Sequence, residues 1–182
     1  MQRALKTAVL IAMLAGLSPA PARADGFVSP WAGINFANDP ADGRISLGVT
    51  AGAMGGGVIG AEFDLGYSPS FFGTDNVFGS NSVITAMGNV IVGIPFGGTA
   101  GPGVRPYVTG GLGLIRSRVD IFAPDTSNTE FGMSVGGGVM GFFNDHFGLR
   151  ADLRYFRTGI DLDLLNLENV DFWRASFGIV IR

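Results

Sequence analysis

The stretch FGLRADLRYFRT, residues 147–158, reads with a period of two: Leu149, Ala151, Leu153 and Tyr155 alternate with Arg150, Asp152 and Arg154. Successive side chains of a β-strand point to opposite faces, so one face of this segment is apolar and the other carries three charges. The stretch DFWRASFGIVIR, residues 171–182, repeats the pattern, with Trp173, Ala175, Phe177, Ile179 and Ile181 opposing Arg174, Ser176 and Gly178.

The same alternation extends upstream. In 44–53, Ile45, Leu47, Val49, Ala51 and Ala53 alternate with small or polar residues, and in 58–68 Ile59, Ala61, Phe63, Leu65 and Tyr67 oppose Glu62, Asp64 and Ser68. Ile84, Ala86, Val90, Val92 and Ile94 oppose Thr85 and Asn89, although Val83, Met87 and Ile91 break the rule there. Val108, Leu112 and Leu114 oppose Arg105, Tyr107 and Thr109, while 31–37 and 130–143 are weaker examples. That makes eight candidate strands and no convincing helix. The expected connections are 6, 13, 11 and 12 residues at one end and 4, 7 and 3 at the other. An even number of strands joined alternately by long loops and tight turns is the pattern of an up-and-down outer-membrane barrel.

Composition agrees. The 182 residues include 30 Gly and 9 Pro, yet 47% are hydrophobic, 15% are charged and the mean hydropathy is +0.36. Disordered chains are poor in apolar residues, so this chain folds, and its length suits one domain. The absence of Cys excludes a disulfide framework and thiolate metal sites. Residues 1–24 read as a signal peptide: Arg3 and Lys6 precede an apolar run from Ala8 to Leu17, and Ala22-Arg23-Ala24 fits a cleavage site. A mature chain starting at Asp25 carries nine Arg, no Lys and fifteen acids, a net charge of −6. That balance excludes nucleic acid as a partner, because phosphate neutralisation needs a basic surface.

FVSPWAGINF (27–36), RPYVTGGLGLIRS (105–117), LRADLRYFR (149–157) and DFWRASFGIVIR (171–182) resemble the bacterial outer-membrane protein β-barrel domain family, the eight-stranded OmpA-like and opacity-like barrels. The resemblance spans 27–182 and implies an all-β, eight-stranded antiparallel up-and-down transmembrane barrel in the bacterial outer membrane, over residues 25–182. It also implies outer-membrane lipid, lipopolysaccharide and the barrel-insertion machinery as partners. Chains of the family usually end on an aromatic residue that this machinery reads. Here the last residues are Gly178-Ile179-Val180-Ile181-Arg182, one aromatic short.

A barrel gives the polar faces a destination. Glu62, Asp64, Arg105, Arg150, Asp152, Arg154 and Arg174 share the inward set, and an eight-stranded barrel is only just wide enough for side chains to fill it. These seven residues are expected to form an ion network that plugs the lumen; the competing readings are a narrow pore or proton path, and a soluble lipocalin-like barrel with its faces reversed. Glycines at 110–114 and 136–138 are expected to ease curvature through close backbone approach, bends and bulges. Arg116, Arg118 and Arg157 fall on the outward set at the external rim, where guanidinium forks suit lipid A phosphates, though solvated rim charges fit equally. Aromatic belts are expected at Phe36, Tyr67, Tyr155 and Trp173 outside, and at Phe96, Phe143 and Phe147 on the periplasmic side.

Asp39, Asp42, Asp75, Asp120, Asp125, Asp161, Asp163 and Glu168 gather in the long loops, and Phe71, Phe72, Phe78 and Phe122 are loop candidates for adhesion. Asp161-Leu162-Asp163 supplies too few oxygens for a hard-cation site. The single His146 has no nucleophile beside it, and Gly55 to Gly60 matches a dinucleotide-binding spacing but precedes a strand, which makes it a hairpin turn. No enzymatic activity, cofactor or metal is expected. The surface ligand is left open.

Overall fold

Alternating segments that bury one face and keep the other apolar have one closed solution, and the computed structural model adopts it. The structure describes residues 24–36, 43–69, 81–98, 101–119, 126–158 and 171–182. Its strands are β1 Ala24–Phe36, β2 Arg44–Gly55, β3 Ile59–Pro69, β4 Asn81–Gly93, β5 Gly103–Val119, β6 Thr126–Phe142, β7 Phe147–Thr158 and β8 Asp171–Ile181. Each pairs antiparallel with its sequence neighbours, and β8 returns to β1 to close an eight-stranded barrel. Closure pairs every strand on both sides, which backbone groups in hydrocarbon require.

Two boundaries differ from the sequence reading. β1 begins at Ala24 rather than at residue 31, because Phe27 and Trp31 point inward while Val28 and Ile34 point outward. With apolar residues on both faces, period two is not visible there. β5 and β6 each run 17 residues, against the roughly 9–11 that cross a bilayer. Their hairpin extends past the membrane span and shortens the β5–β6 loop to the six residues 120–125, against the nine of 94–102 between β4 and β5. Strict alternation of long and short links therefore fails at this one place. The expected turn at Gly55 to Gly60 is present: Gly56 and Gly57 hold φ of 57° and 69°, and Val58 N–H donates to Gly55 O at 3.1 Å. Positive φ at both central residues gives the primed turn whose twist suits a two-strand hairpin, and glycine adopts it without strain.

The outer surface is apolar. Leu47, Phe63, Val90, Leu112, Val135, Leu153, Phe177 and Ile179 are all exposed. Glu62, Asp64, Arg150 and Arg154 are between 1% and 4% exposed, inside the barrel, which removes the face-reversed lipocalin-like reading.

The close backbone approach expected of the glycines is present, since a Cβ on Gly111, Gly113 or Gly138 would run into the carbonyl oxygen of Gly88, Ala86 or Ala151 on the adjacent strand, whereas the expected bulges are not. The β5–β6 and β6–β7 registers run without a bulge through Gly110, Gly111, Gly113, Gly136 and Gly138. Inward glycines also leave room for large lumen side chains of other strands. A Cβ on Gly138 would lie 2.9 Å from Tyr107 Cζ, one on Gly113 would lie 2.7 Å from Met87 Sδ, and one on Gly66 would lie 3.2 Å from Trp31 Cη2.

Candidate functional site

The lumen is filled in layers. At the short-turn end, Phe27, Met54, Ile91, Tyr107, Met140, Phe142 and Val180 form one apolar cluster. Towards the long-loop end, Val83, Met87, Ile115, Phe156 and Phe172 form a second. Val83, Met87 and Ile91, the residues that break the alternation of β4, are the inward apolar members of these two clusters.

Between the clusters lie the charges. Glu62 on β3 reaches β7, where its Oε2 accepts from Arg150 Nη2 at 2.9 Å and its Oε1 from Arg154 Nη2 at 2.6 Å. Asp152 lies between the two arginines, accepting from Arg154 Nε at 2.6 Å and Arg150 Nη2 at 3.1 Å. Tyr107 donates its hydroxyl hydrogen to Asp152 and accepts from Arg150 Nε at 2.7 Å. Thr109 Oγ1 donates to Glu62 at 3.2 Å, and Ser134 Oγ donates to Asn89 Oδ1 at 2.8 Å. A separate pair stands nearby: Arg174 Nη2 meets Asp64 Oδ1 at 2.6 Å, and Thr50 Oγ1 donates to Asp64 Oδ2 at 2.8 Å. The Arg174 guanidinium lies 4.1 Å from the Trp31 ring centroid and 4.7 Å from that of Phe156. Cations over ring faces in a desolvated site gain roughly 2 kcal/mol or more.

Six of the seven inward charged residues thus meet as three acids against three arginines, so the charge of these six is balanced. Arg105 is placed apart. It is 3% exposed, but its Nη1 lies 3.7 Å from Met54 Sδ and its guanidinium 5.3 Å from the Phe142 ring. Its charged neighbours are Arg182 and Asp25 at the short-turn mouth.

On the outer rim, Arg116 and Arg157 are exposed on the lipid-facing set. Arg157 stands opposite Asp171 in the register. Arg118 lies on β5 opposite Ser127, and its side chain is outside the described residues. Tyr67 and Trp173 are exposed near the long-loop ends, with Tyr155 and Trp173 ring centroids 5.2 Å apart. Phe96, Phe143 and Phe147 are exposed near the short turns. The acidic loop residues, the loop Phe residues and residues 1–23 lie outside the described residues. His146 is exposed in the turn 143–146, where its N–H donates to Asn144 Oδ1 at 2.9 Å.

Sequence reasoning missed Trp31 and Phe27 as lumen residues. The outward parity of Val28 and Ile34 was the signal that places both of them inside.

A closed barrel with an apolar exterior and a charged interior matches a known family: the model of the outer membrane protein β-barrel domain aligns with residues 8–182. The chain belongs to this family. It is a protein of the bacterial outer membrane. Among solved structures the barrel is similar to Neisserial surface protein A, with a TM-score of 0.67 and 21% identity over 87% of this chain and 97% of that one. It is similar also to the N-terminal barrel domain of OprF from Pseudomonas aeruginosa, with a TM-score of 0.56 and 18% identity over 87% and 98% of the two chains. A third likeness is to Ail, the attachment invasion locus protein of Yersinia pestis, with a TM-score of 0.52 and 14% identity over 86% and 97%. At these identities the likeness speaks for the fold. Comparison with curated protein sequences finds no match.

Proposed function

We propose that this outer-membrane barrel has a structural or surface-interaction role, in envelope integrity or adhesion, with its lumen plugged by an internal ion network and without enzymatic activity. The observation that carries the reading is the span of Glu62: one carboxylate on β3 holds two arginines of β7 at 2.9 and 2.6 Å. In an interior with room only for side chains, such a bridge leaves no bore for hydrated ions. The pore reading requires Arg150, Asp152 and Arg154 to line open space, whereas all three point their charges at one another and at Glu62.

The test is single-channel recording of the refolded protein in planar bilayers. A closed barrel gives no resolved openings, and steady nanosiemens-scale conductance overturns the reading.

Arg116, Arg118 and Arg157 belong to the same proposal as contacts to lipopolysaccharide phosphates, recognised by bidentate guanidinium forks. Replacing all three by Ala is expected to abolish stabilisation of the barrel by added lipopolysaccharide in thermal unfolding. Unchanged stabilisation removes this part of the proposal. Export through a signal peptide over 1–24 and assembly by the barrel-insertion machinery complete it.

A further inference from the structure

Nine buried side-chain atoms have no hydrogen-bond partner among the described residues, and they are of three kinds. Ser29 Oγ, Trp31 Nε1, Asn35 Oδ1 and Ser46 Oγ are neutral, and single ordered waters commonly satisfy such groups. Arg150 Nη1, Arg154 Nη1 and Arg174 Nε belong to guanidinium groups whose charge a carboxylate already holds. Arg105 is the exception. It contributes two atoms, Nε and Nη2, from a guanidinium with no ion pair among the described residues, in a residue only 3% exposed. The donor contact it does make, Nη1 to Met54 Sδ at 3.7 Å, is to a weak acceptor.

Nε and Nη2 form one edge of the guanidinium, the fork that takes an oxyanion through two parallel hydrogen bonds. The residue beside this edge is glycine: a Cβ on Gly57 would lie 2.7 Å from Nη2 and 3.1 Å from Nε. A second cation stands close by. The Arg182 guanidinium lies 3.3 Å from the centroid of the Phe142 ring, and that of Arg105 lies 5.3 Å from the same centroid. Asp25 is a charged neighbour of both arginines and Asp145 of Arg182, but Asp145 Oδ1 accepts from Gly101 N–H at 2.6 Å. Two cations at one ring repel each other, and an anion between them relieves that repulsion.

The barrel wall is notched beside this pair. β1 pairs with β2 from Ala24 onward, whereas its last partner on β8 is Ile181, opposite Val28. Among the described residues, the β8-facing edge of Ala24–Phe27 therefore has no strand beside it. A groove of about 450 Å³ lies there, lined by Gly26, Phe27, Val28, Ala51, Ile181 and Arg182. Val28 and Ile181 are on the exposed apolar surface. Above Gly26 the space is open, since a Cβ there would come no nearer than 4.0 Å to the Gly52 carbonyl oxygen. Arg182 belongs to both the groove and the cation pair.

We propose that this mouth binds one glycerophospholipid of the leaflet that meets the short turns, with its phosphate on the Nε–Nη2 edge of Arg105 and on Arg182, and an acyl chain in the groove between Val28, Ala51 and Ile181. The occupant follows from the two halves of the site. A free anion satisfies the guanidinium groups and leaves the groove unfilled, and an uncharged hydrocarbon does the reverse. An amphiphile with an anionic head answers both, and the wall that carries the groove already faces the bilayer. The site goes beyond the structural role proposed above and leaves the ion network as it stands.

The test titrates the refolded protein in non-ionic detergent with dimyristoylphosphatidylglycerol and reads the fraction carrying one lipid by native mass spectrometry; folding is checked by heat-modifiable gel migration. Saturable binding of one lipid is expected, about fivefold weaker in Arg105→Met, the worth of one net hydrogen bond. Binding is also expected to weaken in Gly26→Leu, which fills the groove from the lipid face and changes nothing in the lumen. No saturable adduct in the wild type, or undiminished affinity in either folded variant, overturns the proposal. Competition separates the possible sources. Inorganic phosphate and dimyristoylglycerol, each at the concentration of the lipid, are expected to leave the adduct in place. Displacement by the first makes the ligand a soluble anion, displacement by the second makes the site a plain apolar groove, and either overturns the lipid assignment. Replacing Arg116, Arg118 and Arg157 by Ala is expected to keep full affinity; a loss there puts the lipid at the opposite rim and overturns the site.

Discussion

The guanidinium groups of Arg154 and Arg105 are both withdrawn from solvent, at 1% and 3% residue exposure, yet their surroundings are opposite. Arg154 touches two carboxylates, and every charge it faces is itself held by further donors. Arg105 is set among Met54, Phe142 and Gly57, with no ion pair among the described residues. The difference is one of depth. A charge in mid-lumen cannot reach water and must be neutralised by protein, because desolvating an unpaired ion costs several kcal/mol. Arg105, nearer the short-turn mouth, lays its guanidinium against Met54 Sδ and the Phe142 ring, and its Nε and Nη2 find no hydrogen-bond partner among the described residues.

The largest test of this contrast removes the acid that holds β3 to β7. Glu62→Ala leaves Arg150 and Arg154 sharing Asp152 alone, and it is expected to destabilise the barrel by about 3–5 kcal/mol in urea unfolding from lipid vesicles. A loss below about 1 kcal/mol, as for surface pairs, would mean that the network is water-screened and that the two arginines are not different in kind.

A smaller effect separates the lumen face from the lipid face of one strand. Gly138→Ala places a Cβ against the Ala151 carbonyl oxygen and Tyr107, whereas a Cβ on Gly141 meets nothing within 4 Å. The first substitution is expected to cost about 1–3 kcal/mol, the usual range for overpacking. The second stays within about 0.5 kcal/mol. Equal effects in the same unfolding assay would show that these glycines serve strand curvature and not lumen packing.

The smallest expected effect is that of Arg105→Met, which keeps the stem and removes the charge. With no carboxylate left unpaired, the change in stability is expected to stay below about 1 kcal/mol in either direction. A loss comparable to that of Glu62→Ala would place Arg105 in the network after all.

Much of this barrel is legible in the chain because lipid imposes a binary demand. In β7 and β8 the lipid face is apolar and the lumen face charged, so Leu149 to Arg157 and Trp173 to Ile181 declare both strand and side. Where the lumen face is also apolar the signal fades. Trp31 and Phe27 hid the first half of β1, and Met87 and Ile91 looked like errors in β4. They are residues that fill the interior, and no local pattern distinguishes an apolar residue facing lipid from one facing another side chain.

Pairing partners were also out of reach locally. Parity places Glu62, Asp64, Arg105, Arg150, Asp152, Arg154 and Arg174 inside, but it treats them as equals. The split into a Glu62–Arg150–Asp152–Arg154 group, an Asp64–Arg174 pair and an Arg105 apart from both depends on height along the barrel axis. Height is set by the stagger between strands, which accumulates around the closed sheet.

The amino-acid sequence by itself determined the strand count and which residues share a face, because these follow from side-chain alternation; burial in the folded barrel decided that the charged face is inside. Only the tertiary structure decided which charges meet. Glu62 and Arg150 are 88 residues apart in the chain, and closure of the sheet brings them within 2.9 Å. Contact across a lumen is a property of radius and stagger, which the period of a single strand does not encode.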